Sequence, residues 1–185
     1  NSSSEPTLRK ALAIGADKAI RIDADPLDGY FVAKQISEYV KTSSYDLIIA
    51  GRESIDYNGA MVPGLIAGFL KINYVTNCTK LEIDNEKVEI DREIDGGKET
   101  LNCTLPLIIG GQKGLVEESD LRIPNMRGIM QARQKPLEVL EAFDCSSNTK
   151  TIKFYKPEPK QAVKLVSADN LDELINLLHN EAKVL

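Results

Sequence analysis

The sequence predicts an α/β fold, a parallel sheet with an antiparallel β-hairpin extension and a C-terminal helical arm. Three patterns carry that expectation. Short aliphatic runs alternate with helical periodicities through residues 6–70, the arrangement that builds parallel strands joined by crossover helices. From Val75 onward the apolar period changes to two, as in half-buried antiparallel strands. After a proline-bearing stretch at residues 156–160, the chain closes on an amphipathic helix.

Each element has its own reason. A first helix is expected over residues 6–16, with Leu8, Ala11 and Leu12 inward and Gly15 near its end. Residues 19–22 make a short strand. Asp25-Pro26 is expected to open the second helix, because an Asp carboxylate accepts orphan N–H groups and proline suits a first turn. Val32, Ile36, Tyr39 and Val40 form its buried stripe. Residues 47–50 read as a compact buried strand, and residues 60–70 as a helix of small and apolar residues.

Antiparallel strands are expected at residues 80–84, 87–95 and 99–109, joined by the turns Asp84-Asn85-Glu86-Lys87 and Asp95-Gly96-Gly97-Lys98. The two glycines accept the positive φ of a tight hairpin. Val88, Ile90, Arg92 and Ile94 alternate with Glu89, Asp91, Glu93 and Asp95, while Leu101, Cys103, Leu105 and Leu107 line the return strand. A short basic helix is expected at residues 128–134. Residues 156–160 form an extended linker, since prolines exclude both helix and ladder. Asn170 caps the last helix and Glu173 completes a capping box, with Leu171, Leu174, Ile175 and Leu178 on one face.

With 185 residues, the chain is sized for one domain, or one domain with an arm. Its hydrophobic fraction of 42% and charged fraction of 28% are ordinary for a soluble globular protein. No apolar run approaches the ~18 residues that span a bilayer, and no signal peptide is visible. The formal charge is −5, and basic residues are dispersed except at residues 122–135, which argues against nucleic-acid binding. Cys78, Cys103 and Cys145 are widely spaced without a Cys-x-x-Cys pair, which argues against a zinc site or disulfide framework and fits a reducing compartment. In such a compartment the two Asn-Cys-Thr sequons are coincidences. No Walker loop or Gly-x-Gly-x-x-Gly run occurs. His179, the only histidine, falls on the polar flank of the last helix, and no nucleophile has an identifiable base. No catalytic or metal-binding residue is therefore expected.

Two segments invite a functional reading. A strand ending at Gly51 leads through a polar loop to a helix expected to begin near Gly59. Ligands of parallel α/β folds sit beyond strand carboxyl ends, and helix N-termini offer N–H groups to phosphate. Ala60, Met61 and Val62 are expected to donate backbone N–H groups there, while pattern alone leaves an ordinary crossover loop equally open. The second segment clusters Arg122, Arg127, Arg133 and Lys135 around Ile123, Met126, Ile129 and Met130. It reads either as a solvated basic helix with one buried face or as a docking surface in which charge steers encounter and methionine adapts.

The string IDREIDGGKETLNCTLP at residues 90–106 closely resembles the signature of electron-transfer flavoprotein β subunits. Gly110 departs from that family, which usually has Thr, Ala, Ser or Cys there. TLRKALAIGADKAIRI (7–22), YDLIIAGRESID (45–56) and RIPNMRGIMQARQKP (122–136) resemble the family in the same order, so the likeness covers residues 4–136. It implies a Rossmann-like (adenine-nucleotide α-hydrolase-like) domain over residues 1–145, with a docking segment at 114–136. Residues 146–185 would be an arm packing on an α subunit. A first βα unit and a second strand are expected ahead of residue 1.

The resemblance further implies a heterodimeric electron carrier without bond chemistry of its own. Electrons would come from acyl-CoA or related dehydrogenases and go to a quinone-linked oxidoreductase. The redox FAD would be held mainly by the α subunit, and the β pocket would hold AMP, or a second FAD in bifurcating members. Carried over by position, the nucleotide contacts are Ser4, Gly51, Arg52, Glu53, Ser54, Ile55, Asp56, Asn58, Gly59, Ala60, Met61 and Val62. The family often has Asn or Ala, then Gln, then Thr or Val, where this chain has Ala60-Met61-Val62, which removes a side-chain amide donor. Asp56 is expected to organise the loop. Partner docking falls on Arg122, Met126, Arg127, Ile129, Met130 and Arg133, with Met126 as the apolar anchor and Gln131 and Gln134 replacing lysines. The expected compartment is the cytoplasm of a bacterium or the mitochondrial matrix of a eukaryote. Rival readings are a bifurcating flavoprotein subunit and a stand-alone adenine-nucleotide sensor similar to universal stress proteins.

Overall fold

The computed structural model describes residues 2–85, 87–160 and 162–185, in two units, Asn1–Lys150 and Thr151–Leu185. The first unit opens with a 3-10 turn, Ser2–Ser4, that runs into α1 (Glu5–Ala13). Then follow β1 (Ala19–Asp23), α2 (Gly29–Val40), β2 (Leu47–Gly51), α3 (Val62–Leu70), β3 (Asn73–Asp84), β4 (Lys87–Ile94), β5 (Gly97–Thr104) and β6 (Leu107–Gly111). A 3-10 turn (Glu118–Asp120), α4 (Met126–Ala132) and β7 (Leu137–Glu141) complete it.

One sheet has the order β2-β6-β3-β4-β5, and β1 pairs with β7 in a second, two-stranded one. β6 runs parallel to both β2 and β3, while β4 is antiparallel to β3 and to β5. The α/β class, the parallel sheet and its antiparallel extension are thus as expected. One strand departs from expectation. The strand expected over residues 99–109 is two strands, because Pro106 has no N–H with which to continue the β4 ladder. β5 stays in the hairpin, and β6 turns into the middle of the parallel sheet.

Residues Leu107, Ile108 and Ile109 are fully buried, as a strand covered on both faces must be. The period of two sends Leu107 and Ile109 into a core with Val75, Cys78, Val88 and Ile90. Ile108 points the other way, against Ala33, Ile66 and Ala67 of α2 and α3. A third, smaller core joins Leu12, Ala19 and Ala132.

Several local expectations shift. β2 is an edge strand, not a buried one, and its Ile49 is 61% exposed. α2 begins at Gly29, capped by Asp28 rather than Asp25. Asp28 has the extended backbone of an N-cap, and its Oδ1 accepts the Phe31 N–H at 2.7 Å. The buried residues of α2 are Phe31, Ala33, Gln35 and Ser37, because the helix is covered by α3 and also crossed by residues 143–149. Ala11 of α1 is exposed, while Leu12 is buried as expected. In the β4–β5 hairpin only Gly96 has positive φ (88°), and Gly97 already pairs with Ile94. The expected turn at residues 84–87 includes Glu86, which lies outside the described residues.

In the second unit, α5 (Leu171–Asn176) continues into a π-helical turn, Leu177–Glu181. The Asn170 side chain accepts the Glu173 N–H at 3.4 Å, the expected cap, but the box is not closed as expected: the Glu173 carboxylate accepts from the Asn170 side-chain amide at 2.8 Å, and the Asn170 backbone N–H goes to the Ser167 carbonyl. Leu171 and Ile175 are more than half exposed.

Candidate functional site

The loop from β2 to α3 is built on its own short-range bonds. Arg52 donates its N–H to the Gly111 carbonyl of β6 and pairs with Glu53 through its guanidinium. The Ser54 carbonyl accepts from Tyr57 and Asn58, and the Ser54 hydroxyl donates to Asp56 Oδ2 at 2.6 Å. Asp56 therefore organises the loop. Asn58 and Ala60 both have φ of 47°, so the chain reverses twice in the left-handed region before the helix starts.

The helix starts later than expected. α3 begins at Val62 with Met61 in the N-cap position and no side-chain cap, so Ala60 stands outside it. The first-turn N–H groups that remain for an anion are those of Val62 and Gly64, since Pro63 has none. Met61 is half exposed but touches α2. Its Sδ and Cγ lie 2.6 and 2.9 Å from where a Cβ on Gly29 would stand, so the beginnings of α2 and α3 meet at a glycine. Tyr30 meets Phe69 edge to face, and Lys34 lies over the same ring, which locks the two helices together.

Whether an adenine nucleotide fits can be judged from this arrangement. α2 has its cap in Asp28 and α3 has none, so unsatisfied donors converge at the head of α3. The loop side chains do not add to this. One base, Arg52, is already paired, and two acids, Glu53 and Asp56, oppose a phosphate. Ile55 (91% exposed) and Tyr57 offer apolar and aromatic surface beside the backbone donors. A phosphate on backbone N–H groups with a base on apolar side chains suits these residues; a phosphate on side-chain cations does not. Ser4 lies in the turn that opens α1, whose contacts run to α4 and β1.

The basic segment forms α4 two residues earlier than expected, because Asn125 caps it by accepting the Gly128 N–H at 2.8 Å. At 3.6 residues per turn, Gly128 and Ala132 fall opposite Met126, Met130 and Arg133. The small residues face α1. A Cβ on Gly128 would stand 2.5 Å from the Ala13 carbonyl, and Ala132 is buried. Met126 is 74% exposed, Met130 is 65%, and Ile129, Arg122, Arg127 and Arg133 are exposed beside them. Lys135 departs from the cluster. Its ammonium points inward and donates to the carbonyls of Leu12 and Ala16. Between α1 and α4 lies a cleft of about 670 Å³, lined by Pro6, Ala13, Pro124 and Ile129 with Arg9, Lys10 and Arg133 at its edges.

Sequence reasoning missed the segment after β7. Gln35 exchanges both amide bonds with the Phe143 backbone, at 2.7 and 2.8 Å, and Asp28 Oδ2 accepts from Asn148 and Thr149. A glutamine among apolar helix residues was the available signal. Elsewhere, burial pushes the Cys78 thiol up, away from nucleophilic use. Among the described residues no group of three or more His, Cys, Asp or Glu side chains could hold a metal, and no helix is long and apolar enough to cross a membrane.

A family model of the electron transfer flavoprotein domain matches residues 1–144. The electron transfer flavoprotein subunit beta of Bacillus subtilis (strain 168) is 38% identical, over 98% of this chain and 75% of the relative. That of Sus scrofa is 28% identical, over 97% of this chain and 72% of the relative. The mitochondrial subunit beta of Oryza sativa subsp. indica is 33% identical over the whole chain and 74% of the relative.

Proposed function

The chain belongs to the electron transfer flavoprotein β-subunit family, and from that premise we propose that it serves a heterodimeric carrier between acyl-CoA-type dehydrogenases and a quinone-linked oxidoreductase. Family membership establishes an electron-transfer role and an α-subunit partner. The donors, the acceptor and the nucleotides are the proposal. FAD, held mainly by the α subunit, supplies the redox chemistry when bound, and this chain supplies position and recognition.

The observation that carries the reading is the uncapped head of α3 beyond the carboxyl end of β2, where Met61 meets Gly29. There the N–H groups of Val62 and Gly64 would receive the phosphate of AMP, or of a second FAD. Residues 51–60 and Met61 would enclose the rest, with Ser4 as an outlying contact. Met126, flanked by Ile129, Met130, Arg122, Arg127 and Arg133, would dock to dehydrogenases. Residues 146–185 would form the arm that packs on the α subunit through the exposed face of α5. The complex would work in the bacterial cytoplasm or, as the name of the rice relative indicates for that protein, in mitochondria.

The test is the nucleotide content of the heterodimer purified with its α subunit and released by denaturation. One FAD and one AMP per heterodimer is the expected result. Two FAD and no AMP would replace this reading with the bifurcating one. A stable solitary chain that carries adenine nucleotide but no flavin would sink it in favour of the sensor.

A further inference from the structure

The docking helix does not hold itself in place. α4 has seven residues, too few for stability without tertiary support. That support comes from a reciprocal pair of cations. Arg9, in the middle of α1, directs Nη1 to the carbonyls of Ala132 and Lys135 at 2.7 and 2.8 Å, where α4 ends. Lys135, just past α4, directs its ammonium to the carbonyls of Leu12 and Ala16 at 3.0 and 2.7 Å, where α1 ends. Each cation thus stands at the negative end of the other's helix and meets one carbonyl of its last turn, Ala132 or Leu12, and one just beyond it, Lys135 or Ala16. Gly128 lets the two backbones approach closely enough for these four bonds to form. The same geometry turns Met126, Met130 and Arg133 outward.

We propose that Arg9 is a positioning residue for partner docking: by holding the end of α4 against α1 it keeps the Met126–Met130–Arg133 face preformed. The inference rests on the docking function proposed for α4 and extends it to a residue of α1, outside the docking segment. A preformed face lowers the ordering cost of association. Loss of Arg9 therefore weakens encounter with the dehydrogenase and leaves the flavin chemistry unchanged.

The test uses the complete heterodimer with an acyl-CoA dehydrogenase as electron donor. Arg9→Gln should raise the KM for the dehydrogenase roughly fivefold while kcat and flavin content hold, the pattern of a lost binding contribution. Amide hydrogens of α4 should exchange faster than in the wild type, and Arg9→Lys, which keeps the charge and one bond, should recover part of both effects. Met126→Asp is the control on docking itself. If Met126→Asp raises KM and Arg9→Gln loosens α4 without changing KM, the positioning role is wrong and docking stands. If neither variant changes KM, the docking reading fails and takes this proposal with it. Should Arg9→Gln not fold, Arg9→Lys carries the test: an intermediate KM supports the proposal, and an unchanged KM with a loosened α4 overturns it.

Discussion

The Tyr74 hydroxyl lies so close over Gly110 that a Cβ on Gly110 would stand 3.0 Å from it. The same ring passes Gly64 of α3, where a Cβ would be 3.4 Å away. Tyr74 of β3 therefore occupies a slot between a helix glycine and a strand glycine, and the residue by which this chain departs from its family signature is the one that opens the slot. Gly110→Ala should destabilise the protein by about 1–3 kcal/mol through overpacking. Adding Tyr74→Phe removes the opposing atom and should recover part of that loss. A double-mutant cycle on thermal unfolding measures the coupling, and strictly additive effects would contradict the contact.

Two other glycines should respond with opposite signs. A Cβ on Gly128 meets the Ala13 carbonyl, a backbone atom that moves only if α1 and α4 separate. Gly128→Ala is expected to cost about 1–3 kcal/mol and to loosen α4. A Cβ on Gly68, inside α3, meets nothing within 4 Å. Gly68→Ala should stabilise by about 0.5–1 kcal/mol through helix propensity. Denaturant midpoints of the two variants should move in opposite directions.

Asp28 ties α2 to residues 148–149, and its effect should depend on pH. Burial opposes its ionisation, but bonds from the N–H groups of Phe31, Thr149 and Asn148 and from the Thr149 hydroxyl outweigh it and hold the carboxyl below its usual range. A folded value below the unfolded one means that the stabilisation is complete above the unfolded value. It is lost as pH falls through the folded one. Asn caps a helix as well as Asp does, so Asp28→Asn should cost about 1–2 kcal/mol at neutral pH through the lost anionic bonds to Asn148 and Thr149. Its thermal midpoint should converge on that of the wild type as pH drops below about 4. A gap that persists unchanged into acid would mean that the anion is not what holds the strap.

Met61→Glu separates helix stability from nucleotide binding. A carboxylate at the uncapped head of α3 favours the helix by about 0.3–1 kcal/mol. It would also occupy or repel the donors proposed for phosphate. The nucleotide-free protein should melt no lower than the wild type, while nucleotide retained through purification should fall. Full nucleotide retention would place the phosphate elsewhere.

Much of the fold was legible because it is local. The Asp95-Gly96 turn, the alternation of Val88 and Ile90, and the Asn170–Glu173 cap depend on neighbours within a few residues, so their patterns survive as sequence. The family signature lies in the same hairpin. The start of α2 was misplaced by three residues because Asp25 and Asp28 are both good caps, and only the approach of Asn148 and Thr149 distinguishes them.

The sequence by itself determined the α/β class, the hairpin, the polar loop before α3 and the apolar and basic character of α4. Tertiary structure alone decided that β6 sits between β2 and β3, since Ile108 pairs with Ile48 and Tyr74, each more than thirty positions away. It also decided that Lys135 turns inward, because the carbonyls it meets belong to α1 and the turn after it, 119 or more residues earlier. Gly29 and Met61 meet for the same reason. An apolar run or a lysine carries its chemistry in its own side chain, but which backbone ends stand within reach of it is set by packing that no local pattern encodes.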